Sequence, residues 1–267
     1  GGGVSPHVFV LDEYPTNSFA AYSLQKLRAD YSGNVIKVRR SSDNAEQDIG
    51  FTGNALDIGS LLTFVGSGND GFVTTAYNQV STASPPNGFA QSTANSQPQI
   101  VDSGSLITDA NNGLPAMKFD GVDDWIIAIG LGGPYYADSY WVGSTTDNKF
   151  ILISGAADKY SYVVNDGDTN TKLSSNWRPT NLYVNNVLKS PTYRDDVHTA
   201  ISIGTPVVVN SFNTNPNRWW VTAKFGRYWN AGYDYNGLIQ EFIFYGANNS
   251  DADRSGITTI LTDKYVP

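Results

Sequence analysis

Three carboxylates stand within five residues, at Asp120, Asp123 and Asp124, between two apolar runs. Oxygen ligands set so close together suit a hard cation such as calcium. They equally suit a tight turn, because Asp side chains accept from nearby backbone amides and Gly121 takes a positive φ without strain. A second oxygen-rich stretch runs Asn165-Asp166-Gly167-Asp168-Thr169-Asn170. Asp166, Asp168 and Asn170 alternate as calcium-loop ligands do. Counted from Asp166, the stretch lacks the Gly at the sixth place and has Trp177 where an EF-hand has its Glu. It reads as a hairpin turn or a weak calcium site, so the expectation is no cofactor, with calcium as the option. The third candidate is aromatic: Tyr228, Trp229, Asn230, Tyr233, Asp234 and Tyr235, interleaved with Ala231 and Gly232. Flat rings with polar handles stack on sugar faces while Asn and Asp bond hydroxyls. The Gly and Asn content places these residues in a loop, where a ligand or an oligomer interface would meet them.

Hydrolytic chemistry has little to draw on. A retaining glycosidase needs two carboxyl groups flanking the scissile bond. The only glutamates are Glu13, Glu46 and Glu241. Glu241 lies in a strand pattern and reads as structural. His7 and His198 are the only histidines, and neither stands in a Gly-x-Ser-x-Gly context, so a serine triad has no base in place. No cysteine exists, which excludes disulfides, thiolate nucleophiles and zinc-thiolate sites. The formal net charge of -8 opposes binding to phosphate backbones, so no nucleic-acid partner is expected. No apolar run reaches the length of a membrane-spanning helix.

These residues must be held by a β-rich scaffold. The 267 residues include 26 Gly and 12 Pro, with 13% aromatics, a mix that suits many strands joined by turns. Val8–Leu11 reads as a first strand behind a linker-like Gly1-Gly2-Gly3, giving 1–17 as linker and first strand and 18–267 as one domain. Ser18 caps a helix predicted through Tyr31, and Asp57 caps another through Val65. Val35–Arg40 and Phe72–Tyr77 alternate as strands. Residues 81–99 read as a long surface loop with short extended pieces. The stretch 114–129 is strand, turn, strand, with Met117 and Phe119 facing one way. Further strands are predicted at 139–144, 150–154, 160–165, 181–184, 200–203, 207–210, 219–225 and 238–245. Ser250 and Asp253 start a final helix whose apolar face is Ile257, Ile260, Leu261 and Tyr265. Strands at this spacing make a sandwich or jelly roll.

Several segments then fall together. They are Tyr77-Asn78-Gln79, Gln97-Pro98-Gln99-Ile100-Val101, Gly113–Gly121 with Asp123-Asp124, Gly237–Tyr245, and Lys264-Tyr265. Together they resemble a concanavalin A-like, laminin-G-like jelly-roll module found in phage and bacterial proteins. The N-terminal third, Ala21–Arg28, Tyr31–Gly33, Val38–Asp43 and Asp48-Ile49, is similar to the start of the catalytic domain of fungal-type α-L-arabinofuranosidase B, and the same start recurs in phage tail and virion proteins. The resemblance implies an all-β fold, a concanavalin A-like jelly-roll sandwich of two antiparallel sheets with a few short helices, often with a sugar-binding face or rim. Many laminin-G-like modules also hold a calcium ion.

The hydrolase family's functional residues do not carry over. Its nucleophilic Glu follows a Cys pair, whereas the matching region, Phe150–Gly155, has neither Cys nor Glu. Its acid Asp follows a strand whose nearest counterpart, Ala200–Gly204, continues Thr205-Pro206. The resulting expectation is no enzyme, but a non-catalytic carbohydrate or host-surface binding module of a phage virion protein: a tail fibre, spike or head decoration. The alternatives are a purely structural virion domain, and a glycoside hydrolase with a relocated carboxylate pair. The partners expected are a cell-surface glycan or other virion proteins, with a homo-oligomer, a trimer among the options, in a virion or extracellular setting.

Overall fold

A computed structural model describes residues 7–80, 88–129, 138–146, 149–151, 153–154, 163–165, 169, 181–201, 203–212, 224–227 and 234–267. The chain is mostly β, built around the strand Asn236–Tyr245. Three antiparallel neighbours flank this strand: Asp138–Thr145 pairs with it from Gly237 to Tyr245, while Met117–Asp120 pairs with its first half and Ser18–Ser23 with its second. The main path of the sheet runs Ile153–Ser154, Lys224–Phe225, Ile126–Ile129, Gly88–Ala90, Gly71–Tyr77, Gln99–Asp102 and Met117–Asp120. It continues through Asn236–Tyr245, Asp138–Thr145, Val207–Phe212, Asn181–Val184 and Val187–Lys189. Ile36–Arg40 pairs with Gly71–Tyr77 beside this path.

This ribbon folds back on itself. Phe225, near its start, meets Phe242 of the central strand with ring centroids 3.8 Å apart. Phe89 lies edge-on to Tyr22 and packs on Phe242 and Phe244. The interior between the two layers therefore holds a cluster of aromatic rings among aliphatic side chains, and each buried ring contributes roughly 1.5–3 kcal/mol. The result is an all-β jelly-roll sandwich with few short helices.

The central strand is buried on both sides because it separates two cores. Ile239, Phe242 and Phe244 face the inter-layer core. Ile243 and Tyr245 face a second core under the C-terminal helix, with Tyr140, Val142, Val208, Ile257, Leu261 and Tyr265. Strict alternation would put Ile239 with Ile243. A register shift between Val142 and Gly143 inserts a bulge and turns Ile239 inward instead. Gly143 is required there, since a Cβ would collide with the carbonyl oxygen of Leu238.

The helices expected at Asp57–Val65 and after Ser250 are present. Asp57 Oδ1 accepts from Ser60 N at 3.0 Å, and Ser250 Oγ accepts from Asp253 N at 3.1 Å. Three expectations are corrected. Ser18–Ser23 is a strand, because its Ala20-Ala21-Tyr22 run is buried on both faces against the central strand, and that pairing overrides the helical spacing. The strand expected at Val8–Leu11 is replaced by a short helix, Val10–Glu13, whose Val10 and Leu11 plug the second core. Around 200–203 the chain ends a helix, Arg194–Ala200, with Asp196 Oδ2 accepting from Thr192 N and Tyr193 N at its start.

Candidate functional site

The turn after Met117–Asp120 is the device that opens a cleft. The next strand, Ile126–Ile129, does not pair with Met117–Asp120; three strands lie between them in the sheet. Residues 121–125 therefore cross from one layer to the other at the rim. Asp120 Oδ1 accepts from Val122 N at 2.8 Å and Asp123 N at 3.3 Å, and Asp124 Oδ2 accepts from Asp120 N at 3.0 Å. Gly121 supplies φ +77°. Carboxylate oxygens of Asp120, Asp123 and Asp124 come within 4.8 Å of one another. Of the two sequence readings of this triplet, the hydrogen bonds support turn chemistry.

Beside this turn lies a cleft of about 410 Å³, lined by Arg39, Phe72, Asn95, Gln97, Gln99 and Lys118 together with Ala94, Asp120 and Asp124. Its floor follows from strand alternation. Val38, Val73, Ile100 and Phe119 point into the core, and Arg39, Phe72, Gln99 and Lys118 beside them point outward. The register then sets these outward residues side by side: Arg39 opposite Phe72, Phe72 opposite Gln99, and Gln99 opposite Lys118. At the usual strand spacing such a row of four is about 14 Å long.

Arg39 is fixed in this floor. Its Nε donates to Gln97 Oε1 at 2.7 Å, Nη1 to Asn44 Oδ1 at 2.8 Å, and Nη2 to Ala94 O at 3.2 Å. Its guanidinium lies 4.7 Å over the Phe72 ring. Gln97 is oriented in turn, donating to Gln91 O at 2.9 Å, and Gln91 donates to Trp125 O. Asp124 is buried at the far wall, where burial, and then the charge of Asp120, push its carboxyl up to about 7. Below neutrality it is a neutral acid able to donate a hydrogen bond.

Of the residues singled out from sequence, Asp120 and Asp124 line the cleft. Tyr228, Trp229, Asn230 and Tyr233, and the oxygen-rich Asp166, Asp168 and Asn170, fall outside the described residues. Asp234 is buried and pairs with Arg227 at 3.2 Å. Tyr235 is corrected from ligand contact to core. It is fully buried, edge-on to Phe119 and Trp141, and its hydroxyl donates to Ser144 O at 2.8 Å. Glu241 is structural as read: Oε2 accepts from Tyr265 Oη at 2.6 Å, Ser23 Oγ at 2.9 Å and Lys264 Nζ at 3.2 Å. The cleft floor went unnoticed in the sequence, although each member sits next to an alternating core residue; register alone brings the four together.

No family model matches this sequence, and no curated protein matches it. Solved structures do. An arabinofuranosidase complexed with arabinofuranosyl-α-1,2-xylobiose superposes with a TM-score of 0.60 at 14% identity. Its fold is that of the GH54 arabinofuranosidases. A GH54 α-L-arabinofuranosidase soaked with a cyclic sulfate inhibitor matches with a TM-score of 0.57 at 15% identity. A glutamine-for-glutamate mutant of such an enzyme, soaked with 4-nitrophenyl α-L-arabinofuranoside, matches with a TM-score of 0.57 at 14%. Each match covers 96% of this chain and 65% of the other, so the chain spans just under two-thirds of the structures it resembles. The expectation of no enzyme is corrected by these findings. It rested on two missing family residues, whereas the structures that share this fold along nearly the whole chain are glycoside hydrolases.

Proposed function

We propose that this chain is a carbohydrate-active β-sandwich that takes a saccharide into the cleft over Arg39, Phe72, Gln99 and Lys118. The observation that carries the reading is the cross-strand row itself. It presents fixed hydrogen-bonding side chains along an open groove, in a fold shared with enzymes solved with saccharides bound. Arg39, Asn95, Gln97, Gln99 and Lys118 supply donors and acceptors for ring hydroxyls. A glycan array is the test. Binders are expected, and Gln99→Ala should weaken them about threefold to tenfold in a folded protein, the loss of one hydrogen-bonding partner. No binder, or binding indifferent to Gln99→Ala and Arg39→Ala alike, would remove the site.

A second reading, hydrolysis, is favoured by Asp124. A carboxylic acid protonated below neutrality stands beside Asp120, their carboxyl oxygens within 4.8 Å, and a paired acid and carboxylate is what a retaining glycosidase uses. Release of aryl or oligosaccharide glycosides that Asp124→Asn abolishes would establish it. Turnover unaffected by that change would place the chemistry elsewhere. The finer setting we propose, supported by the phage-type sequence segments, is a virion protein whose saccharide belongs to a host surface. In that setting, whole particles should compete for the same glycans as the isolated chain.

A further inference from the structure

The charge arrangement of the cleft narrows the saccharide, on the footing that the cleft is the binding site. The chain as a whole carries a net charge of -8, yet its cleft floor begins and ends on a cation, Arg39 and Lys118. The three groups that hold Arg39 are all neutral: the side-chain amides of Gln97 and Asn44 and the carbonyl of Ala94. Three of its five N–H donors are thereby used and two remain, on a guanidinium already clamped against Phe72. Its position is fixed with no carboxylate at ion-pair distance among the described residues, although Glu46 stands directly opposite it in the register and acts on its charge.

The other pole is Lys118, exposed and next to Gln99. Among the described residues no ion pair joins either cation to the acidic groups nearby, although the charge of Lys118 acts on Asp124. Asp120 Oδ1 is taken by the amides of Val122 and Asp123, and Asp123 Oδ2 lies 3.5 Å from Ser96 Oγ. Asp124 is largely protonated below neutrality and then faces the cleft as a donor. Ordinary sugar hydroxyls do not call for two separated cations. Carboxylate groups on a saccharide do, since a guanidinium edge and an ammonium each bind an anionic oxygen more strongly than a hydroxyl.

We propose that the cleft selects acidic saccharides, uronate-bearing oligosaccharides being the class, with Arg39 and Lys118 as the two anion contacts. The groups facing these poles are Asp120, Asp123, Asp124 and Glu46, and the selection should be strongest at mildly acidic pH and low salt.

The test is an array carrying uronate-containing oligosaccharides, the same skeletons as methyl esters, and neutral glycans. Acid forms are expected to bind at least about threefold to fivefold tighter than their esters, the size of an exposed charge contact. Raising salt should erase that preference. Lys118→Met changes an exposed residue, so the protein should stay folded, and it should lower affinity for the acid forms more than for the esters, narrowing the gap between them. Equal binding of acid and ester, or a Lys118→Met protein whose preference for the acid is undiminished, would overturn the proposal while leaving saccharide binding in the cleft intact. An array without any binder would instead remove the cleft reading, and this inference with it.

Discussion

Asp124 shows how one residue can set a pH dependence. Its ordinary carboxyl pKa of about 3.9 is raised to about 7 in the folded chain by burial and by Asp120. Between those values the folded state binds more protons than the unfolded state, so stability falls as pH rises from about 4 to 7. Asp124→Asn keeps an oxygen to accept from Asp120 N but has no charge to bury. It should remove this slope and stabilise the protein by about 1–2 kcal/mol at pH 8, after allowing for solvent screening near the cleft. Urea denaturation of both proteins at pH 5 and pH 8 checks this, and parallel pH profiles would contradict it. At Tyr235 the hydroxyl is the point at issue. Tyr235→Phe leaves the ring packed but strips Ser144 O of its donor, an expected loss of about 1 kcal/mol in thermal unfolding with saccharide binding unchanged.

At the scale of elements, the C-terminal helix Asp251–Tyr265 is tied to the sheet by a buried polar knot as well as by apolar contact. Tyr265, Lys264 and Ser23 all converge on Glu241 Oε2. Burial lowers the Lys264 ammonium while Glu241 opposes that, and burial followed by Glu241 raises the Tyr265 hydroxyl well above its usual range. Removing the acceptor strands Lys264 Nζ and leaves Ser23 Oγ and Tyr265 Oη only each other to donate to, 3.2 Å apart. Glu241→Ala should cost about 3–5 kcal/mol, the loss seen when one partner of a buried charge pair is deleted. A cost below about 1 kcal/mol in chemical denaturation would show the knot to be dispensable. Deleting residues 250–267 uncovers Tyr140, Val142, Val208, Ile243 and Tyr245 as well as Glu241. That protein should aggregate or lose cooperative unfolding.

Across the whole molecule, the two cores share a layer of strands, since Ser18–Ser23, Asp138–Thr145, Val207–Phe212 and the central strand each put residues into both. Phe242 and Phe244 project into one core, and Ile243 and Tyr245 into the other. Melting one side should therefore melt the other. Phe89→Ala in the inter-layer core and Ile257→Ala under the helix should each lower the same single transition, by about 3–5 and 2–5 kcal/mol respectively. Two separable transitions in calorimetry would show that the cores unfold independently. The cleft depends on the same coupling, since its floor is the outer face of strands whose inner faces fill the first core.

Sequence alone determined what local chemistry determines. Alternation at Met117 and Phe119, the caps at Asp57 and Ser250, and the turn at Asp120-Gly121 are legible because each depends on neighbours along the chain. The all-β sandwich followed from many such strands and turns. Tertiary structure decided what depends on partners far away. Ser18–Ser23 became a strand because the central strand, more than two hundred residues later, offered it hydrogen bonds. Tyr235 entered the core because Phe119 and Trp141 left a place for its ring. Arg39, Phe72, Gln99 and Lys118 form one row only through the register of four strands, and register is a property of pairing that no single segment contains.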